Sequence, residues 1–333
     1  MAAKKSPAKS PAKSKVGAKK SPAQKKALIS VVLSFRNEAD VLPELIIRLE
    51  EVFAAERLDY ELIFVNDDST DESLAILKKS AVGNKRIKIA NMSRRFGVDE
   101  CVLAGISYAS GDAVIYMDAD LQDPPGLIPE LIAKWRDGAE VVYTIRTQRE
   151  GENALRMWIT RQAYRVINAS SEIDMPVNAG NFRLLSKLVC DELSKLPEWD
   201  PYLRGLIPFI GYRQEPVYYH RAARVGGVTH FTLFNSLNPY KTFISGLTSF
   251  SMAPIFLIFL IGGSVSVVSL FGLLLAGLFG GSMAWVWFVL FLWGSLLFCL
   301  GFVGIYVGRT YKDSRGRPRY IVKDTIGLPQ KDA

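Results

Sequence analysis

The chain has 333 residues, enough for one large domain or two ordinary ones, and a formal charge of +8. That charge belongs to one end: residues 1–26 hold nine lysines and no acid, so the remainder carries a net −1 and is not itself basic. Three cysteines, Cys101, Cys190 and Cys299, lack metal-ligand spacing and are too few for a disulfide framework; they read as buried thiols in a reducing compartment.

Residues 1–26 repeat "SPAK" and "KKSPA" with almost no large apolar side chain, so ordering them would not be repaid and a disordered tail is expected. No apolar stretch follows the lysines, unlike a signal peptide. Anionic lipid or nucleic acid would attract such a tail, and a plain solubilising extension explains it equally well.

From residue 27 to about 232, strand and helix patterns alternate. Strands are expected at "LISVVLSF" (28–35), "YELIFVNDD" (60–68), "RIKIANMS" (86–93) and "DAVIYMD" (112–118). Helices are expected at 38–56, at "STDESLAILKKSA" (69–81), whose opening has the Ser/Thr/Asp-then-Glu entry pattern, and at 99–110. This alternation predicts an α/β domain whose mostly parallel sheet is covered by helices on both faces.

A short juxtamembrane stretch, 233–252, leads into the apolar end of the chain. No Asp, Glu, Lys, Arg or His occurs from Thr242 through Gly308, where about 20 apolar residues suffice for one membrane span. Two spans, near 253–279 and 285–308, are expected on either side of "GGSMA", as a two-helix transmembrane hairpin. A buried hairpin in a soluble protein is the alternative. Trp285, Trp287, Trp293 and Tyr306 suit interfacial positions, and basic residues before the hairpin and in 310–333 place both ends on the cytoplasmic side.

In parallel α/β sheets, ligands bind beyond the carboxyl ends of the strands. Asn37 with Glu38, Asp67 with Asp68, and Asp118 with Asp120 all fall there. Two carboxylates at i and i+2, with Gln122 next in the alternation, are an oxygen-only donor set suited to Mg²⁺ or Mn²⁺ and, through the ion, to phosphate. Taken alone, Asp118-Ala119-Asp120 reads more simply as a solvated turn before Pro124-Pro125, and Asp123 as a residue that shapes the loop.

The strings "LISVVLSFRNEADVLPELI", "FVNDDSTDES", "MSRRFGVDECVLAGISYASGDAVIYMDADLQDPPGLIPELI", "AGNFRLLSK" and "YLRGL", in this order and followed by a two-span hairpin, resemble family 2 glycosyltransferases of the GT-A (Rossmann-like) fold, in particular those that transfer sugars to polyprenyl phosphates. The resemblance covers roughly residues 28–325. It implies a nucleotide site at Ser34, Arg36, Glu38, Asp67 and Asp118, and a metal and diphosphate site at Asp118, Asp120 and Gln122. It implies sugar contacts from Asn178, Gly180, Asn181 and Arg204. Arg146, Arg149, Arg221, Arg224 and His230 would meet the lipid phosphate, with Arg156, Arg161 and Arg165 in the same basic stretch. Asp118, Asp120, Arg146 and Arg149 would carry the catalysis.

The implied partners are a nucleotide sugar, a divalent cation, a polyprenyl phosphate, membrane lipid and further copies of the chain as a homo-oligomer, a tetramer by resemblance. No nucleic-acid partner is expected.

Several positions depart from the family pattern: Arg36 stands for Tyr, Asn66 for the first Asp of "DDGS", Asp68 for Gly, Asn181 for Asp, and His230 for Lys. These departures are what a catalytically altered membrane scaffold of the same fold would show. A polysaccharide synthase is disfavoured, because Gln162–Val166 lacks the Trp of "QxxRW" and two spans make no channel.

Overall fold

The structure is a computed structural model that describes residues 27–149, 162, 165, 168–169, 171, 173, 176, 179–221, 248–251, 253–279 and 284–329. Its strands are β1 (Leu28–Phe35), β2 (Asp59–Asn66), β3 (Ile87–Met92), β4 (Ala113–Asp118), β5 (Val141–Arg149), β6 (Ala179–Ser186), β7 (Gln214–Arg221) and β8 (Val322–Ile326). They form one sheet ordered β7-β5-β6-β4-β1-β2-β3-β8. The centre, β3-β2-β1-β4, is parallel; β6 and β8 run antiparallel to their neighbours, and β7 lies parallel to β5.

The helices are α1 (Leu42–Glu56), α2 (Ser73–Gly83), α3 (Val98–Tyr108), α4 (Ile128–Arg136), α5 (Lys187–Lys195), α6 (Leu203–Ile210), α7 (Ala253–Phe279) and α8 (Ala284–Ser314). β1 is apolar without alternation because both of its faces are covered. Ile29, Val31, Leu33 and Phe35 join one core with Leu45 and Leu49 of α1 and Leu131 of α4, while Val32 joins a second with Ala104 of α3 and Leu206 of α6. Helix α3 lies against the sheet at Gly105, where a Cβ would come 2.2 Å from Val32 Cγ1.

Three expectations shift. Helices α1 and α2 begin four residues later than the sequence patterns place them, because the residues in front of them hydrogen-bond to one another across the strand ends. The second long helix runs on through Ser314, since nothing interrupts it before Gly316, whose φ of 61° ends the run. Within the expected basic C-terminal segment, residues 322–326 form β8, closing the β3 edge of the sheet.

Helices α7 and α8 contain stretches, Pro254–Gly272 and Phe291–Ser314, long and apolar enough to cross a membrane. Their domain-side ends pair with each other, and the end of α8 also meets the α/β domain. Tyr306 donates to the Ser251 carbonyl at 2.8 Å, Arg309 to Thr248 Oγ1 at 2.7 Å, and Lys312 pairs with Asp200 at 2.7 Å. Residues 1–26, 222–247, 252 and 280–283 lie outside the described residues.

Candidate active site

The carboxyl ends of β1, β2 and β4 form one rim, and register alone brings the predicted residues together: Ser34 pairs with Val65 on one side and with Asp118 on the other. Asn37, Asp68 and Leu121 have φ of 56°, 58° and 56°, and all lie in the loops that leave these strands. Non-glycine residues pay for that conformation, and such positions cluster at binding sites.

The first two loops are laced together. Arg36 donates to the Asp67 carbonyl at 3.1 Å, the Asn37 amide to Ser69 Oγ at 3.1 Å, and the Glu38 amide to Ser73 Oγ at 2.9 Å. Asp67, buried, accepts the Phe96 and Gly97 amides at 2.7 and 3.3 Å on one oxygen, which fixes the loop that leads into α3.

Asp118, at the tip of β4, is the electrostatic centre. Burial, and then the neighbouring carboxylates of Asp123 and Asp120, push its pKa up to about 6, while Asn181 Nδ2, 3.4 Å from both oxygens, and Arg146 offset part of that. Asp120 accepts the Gln122 amide at 3.1 Å. Among the described residues, no three His, Cys, Asp or Glu side chains lie close enough to enclose a metal. The donor set still fits Mg²⁺ or Mn²⁺, which are commonly held by one or two carboxylates with substrate phosphates and water completing the shell. Crowded negative charge that raises a carboxyl pKa is what a cation would relieve.

Behind this pair lies a buried network that the sequence reading missed. Asp123 is fully buried; it takes a hydrogen bond from the Tyr219 hydroxyl and lies 3.5 Å from Arg146 Nη2, while Arg146 Nε donates to Tyr219 Oη at 3.0 Å. Asp123 is therefore the counter-ion of Arg146 and more than a loop residue. Nothing near Asp123 in the chain signals this, because Tyr219 lies on β7, 96 residues away.

On the other side, Arg204 of α6 donates to Asn181 Oδ1 through Nε at 3.3 Å and Nη2 at 3.2 Å, and Asn181 faces Asp118. The amide suits this place, since it accepts from the guanidinium and donates to the carboxylate, which an aspartate at 181 would not do. Asp99 and Arg183 support the same group: Asp99 accepts the Leu203 amide at 3.5 Å, and Arg183, 1% exposed, donates to the Gly180 carbonyl at 3.2 Å. Gly180 leaves room for the Arg146 guanidinium, 3.1 Å from where its Cβ would be.

Helix α6 also touches the segment in front of α7. A Cβ on Gly205 would fall 2.2 Å from the Phe250 ring, which also lies near Tyr202 and Phe209. Gly205→Ala is expected to displace α6, costing about 1–3 kcal/mol. With Arg204 one residue away, the initial rate of any reaction at this site is expected to fall about tenfold or more; thermal unfolding and rate measurements on the same preparation check both.

Of the other predicted residues, Arg149 and Arg221 end β5 and β7 as register partners, and their side chains lie outside the described residues. Arg165 is exposed beside Gln162. Asn178, Arg156, Arg161, Arg224 and His230 lie outside the described residues.

Comparisons with known proteins place the chain in a family. Residues 30–194 match the Glycosyl transferase family 2 domain. An uncharacterised glycosyltransferase of Bacillus subtilis is 38% identical over 91% of this chain and 95% of its own length. A protein of Shigella phage SfV named bactoprenol glucosyl transferase is 33% identical over 89% of this chain and 98% of its own. Among solved structures, glucosyl-3-phosphoglycerate synthase from Mycobacterium tuberculosis overlays with a TM-score of 0.49 at 20% identity, covering 67% of this chain and 78% of that one. With the strand-end carboxylates, the GT-A-like sheet and full-length relatives of this kind, the chain belongs to glycosyl transferase family 2.

Proposed function

We propose that this glycosyltransferase moves a sugar from a nucleotide sugar, UDP-glucose or a similar UDP-sugar, to a polyprenyl phosphate at the cytoplasmic face of the membrane, with inversion at the anomeric carbon. The observation that carries the reading is the Asp118–Asp120 pair at the end of β4, in a domain that the end of the second apolar helix meets through Lys312–Asp200 and Asp313–Trp199. The name of the SfV relative supports the acceptor. Arg309, near the end of the second long helix, bonds to Thr248 just before the first, and Lys312 reaches Asp200 of the domain, which supports both hairpin ends lying on one side.

Ser34, Arg36, Glu38 and Asp67 line the nucleotide end of the rim, and Asn181, Arg204 and Gly180 the sugar end. A divalent cation held by Asp118 and Asp120, with Gln122, would neutralise the departing diphosphate. Arg146, kept charged and oriented by Asp123 and Tyr219, faces the acceptor phosphate, with Arg149, Arg221, Arg224 and His230 as its further partners. That phosphate, with a second pKa of about 6, is largely ionised at neutral pH and needs no strong general base. Asn181 in place of an acid is therefore compatible with turnover.

The test is the full-length protein in nanodiscs with undecaprenyl phosphate, Mn²⁺ and a panel of nucleotide sugars, the lipid product being identified by mass. A glycosylated lipid phosphate formed from one UDP-sugar is expected. If no member of the panel is turned over, the scaffold reading replaces this one.

A further inference from the structure

One row of side chains crosses four strands at the same level. Phe35 of β1 is in register with Asn66 of β2, Asn66 with Asn91 of β3, and Asn91 with Asp324 of β8. From Asn66 outward these residues are hydrogen-bonded in series. Asn91 Nδ2 donates to Asp324 Oδ1, Asn66 Nδ2 donates to Asn91 Oδ1 at 3.2 Å, and the Ser69 amide donates to Asn66 Oδ1 at 2.9 Å. Ser69 Oγ then accepts the Asn37 amide at 3.1 Å, and Asn37 Oδ1 accepts the Thr70 amide at 2.8 Å. The series starts after the second long helix and ends between Arg36 and Glu38.

The direction of this series is fixed by chemistry. A carboxylate only accepts, so Asp324 requires the NH₂ of Asn91; Asn91 must then offer its carbonyl to Asn66, and Asn66 its carbonyl to the Ser69 amide. Neither amide can flip without setting acceptor against acceptor. The same logic accounts for asparagine at 66, where the family pattern has an acid. An aspartate there would confront the Asn91 carbonyl, and turning Asn91 round would confront Asp324 instead.

We propose that Asp324, on the strand that follows the membrane hairpin, is a positioning residue for the donor nucleotide: through Asn91 and Asn66 it holds the 66–70 and 36–38 loops in their binding arrangement. Residues 66 and 324 then act as a matched pair, one amide and one acid. The inference rests on the reading of this rim as a nucleotide-sugar site. It also gives the C-terminal segment a task beyond closing the sheet edge.

The test is a swap made in the full-length protein in nanodiscs, with UDP binding and steady-state kinetics as readouts. Asp324→Asn alone still accepts from Asn91 but no longer fixes which way round Asn91 sits, and is expected to raise the KM for the nucleotide sugar less than Asn66→Asp does. Asn66→Asp, which leaves two acceptors facing each other, is expected to raise the KM for the nucleotide sugar and weaken UDP binding about tenfold. The KM for the lipid should not move. The double variant Asn66→Asp/Asp324→Asn restores an unbroken series with the opposite direction and is expected to recover most of the loss.

A double variant no better than Asn66→Asp would overturn the proposal, as would a loss confined to kcat. Amide hydrogen exchange at Ser69 and Thr70, fast in Asn66→Asp and slow again in the double variant, reads the loop directly. Should wild type bind no nucleotide at all, the donor reading fails, while the exchange result still decides whether the series holds the loop.

Discussion

Asp118→Asn is expected to lower sugar transfer about a thousandfold, because several kcal/mol of charge stabilisation on the leaving diphosphate would be lost with the ligand. The fold should not suffer. Asp118 is crowded by Asp120 and Asp123, and its folded-state pKa, pushed up to about 6 against an ordinary 3.8, means that folding is opposed by its charge. A group raised in this way contributes stability only at low pH, and the contribution disappears as pH rises from about 3.8 towards 6. At pH 7 the asparagine variant should unfold at the same temperature as wild type or above it.

The same proton would compete with a metal ion held by Asp118. Mn²⁺ binding to the nucleotide-free protein should weaken as pH falls below about 6, by up to tenfold per unit. Kinetics, thermal unfolding and metal titration on one pair of proteins check these outcomes. An Asp118→Asn protein with full activity in a defined lipid system would rule out the proposed metal-holding role of Asp118.

The second large effect is expected at Asp123. Asp123→Ala leaves the Arg146 guanidinium, 8% exposed, without the carboxylate 3.5 Å away. Breaking one partner out of a buried pair costs about 3–5 kcal/mol, a fall of about 10 °C in the unfolding midpoint for a domain of this size. Tyr219→Phe removes one hydrogen bond to each partner and should cost less, about 1–3 kcal/mol. Replacing both charges, in Asp123→Asn/Arg146→Met, should recover part of the stability and none of the activity, because the loss in Asp123→Ala comes from the stranded charge. Equal unfolding temperatures for Asp123→Ala and wild type would show that the pair contributes nothing to the fold.

The sequence patterns were most informative where local chemistry is self-sufficient. β1 is apolar on both faces, so its limits at Leu28 and Phe35 are readable without any partner. The two long helices are likewise legible from their lack of charge, and α7 begins and ends at the expected residues. The starts of α1 and α2 were not, because Ser69, Thr70 and Asp71 are as well suited to opening a helix as to bridging loops. The presence of Asn37 and Ala39 opposite them decided between the two roles.

The candidate site divides in the same way. Asp118, Asp120 and Asp67 could be named from sequence because strand ends in a parallel sheet share one rim, so spacing along the chain implies nearness in space. What each acid does there is a tertiary matter. Asp123 resembles its neighbours in the chain, yet it is buried against Arg146 and Tyr219, from β5 and β7.

The C-terminal segment shows the limit most clearly. Its basic composition suggests only a cytoplasmic flank, and β8 exists because the β3 edge is there to receive it. By itself the sequence determined the alternating domain, the apolar hairpin and the set of rim residues, since these follow from periodicity, composition and strand order. Only the tertiary structure decided which carboxylate is a counter-ion, why position 181 is an amide, and that Asp324 sits one side chain from Asn91, because those depend on partners tens to hundreds of residues away.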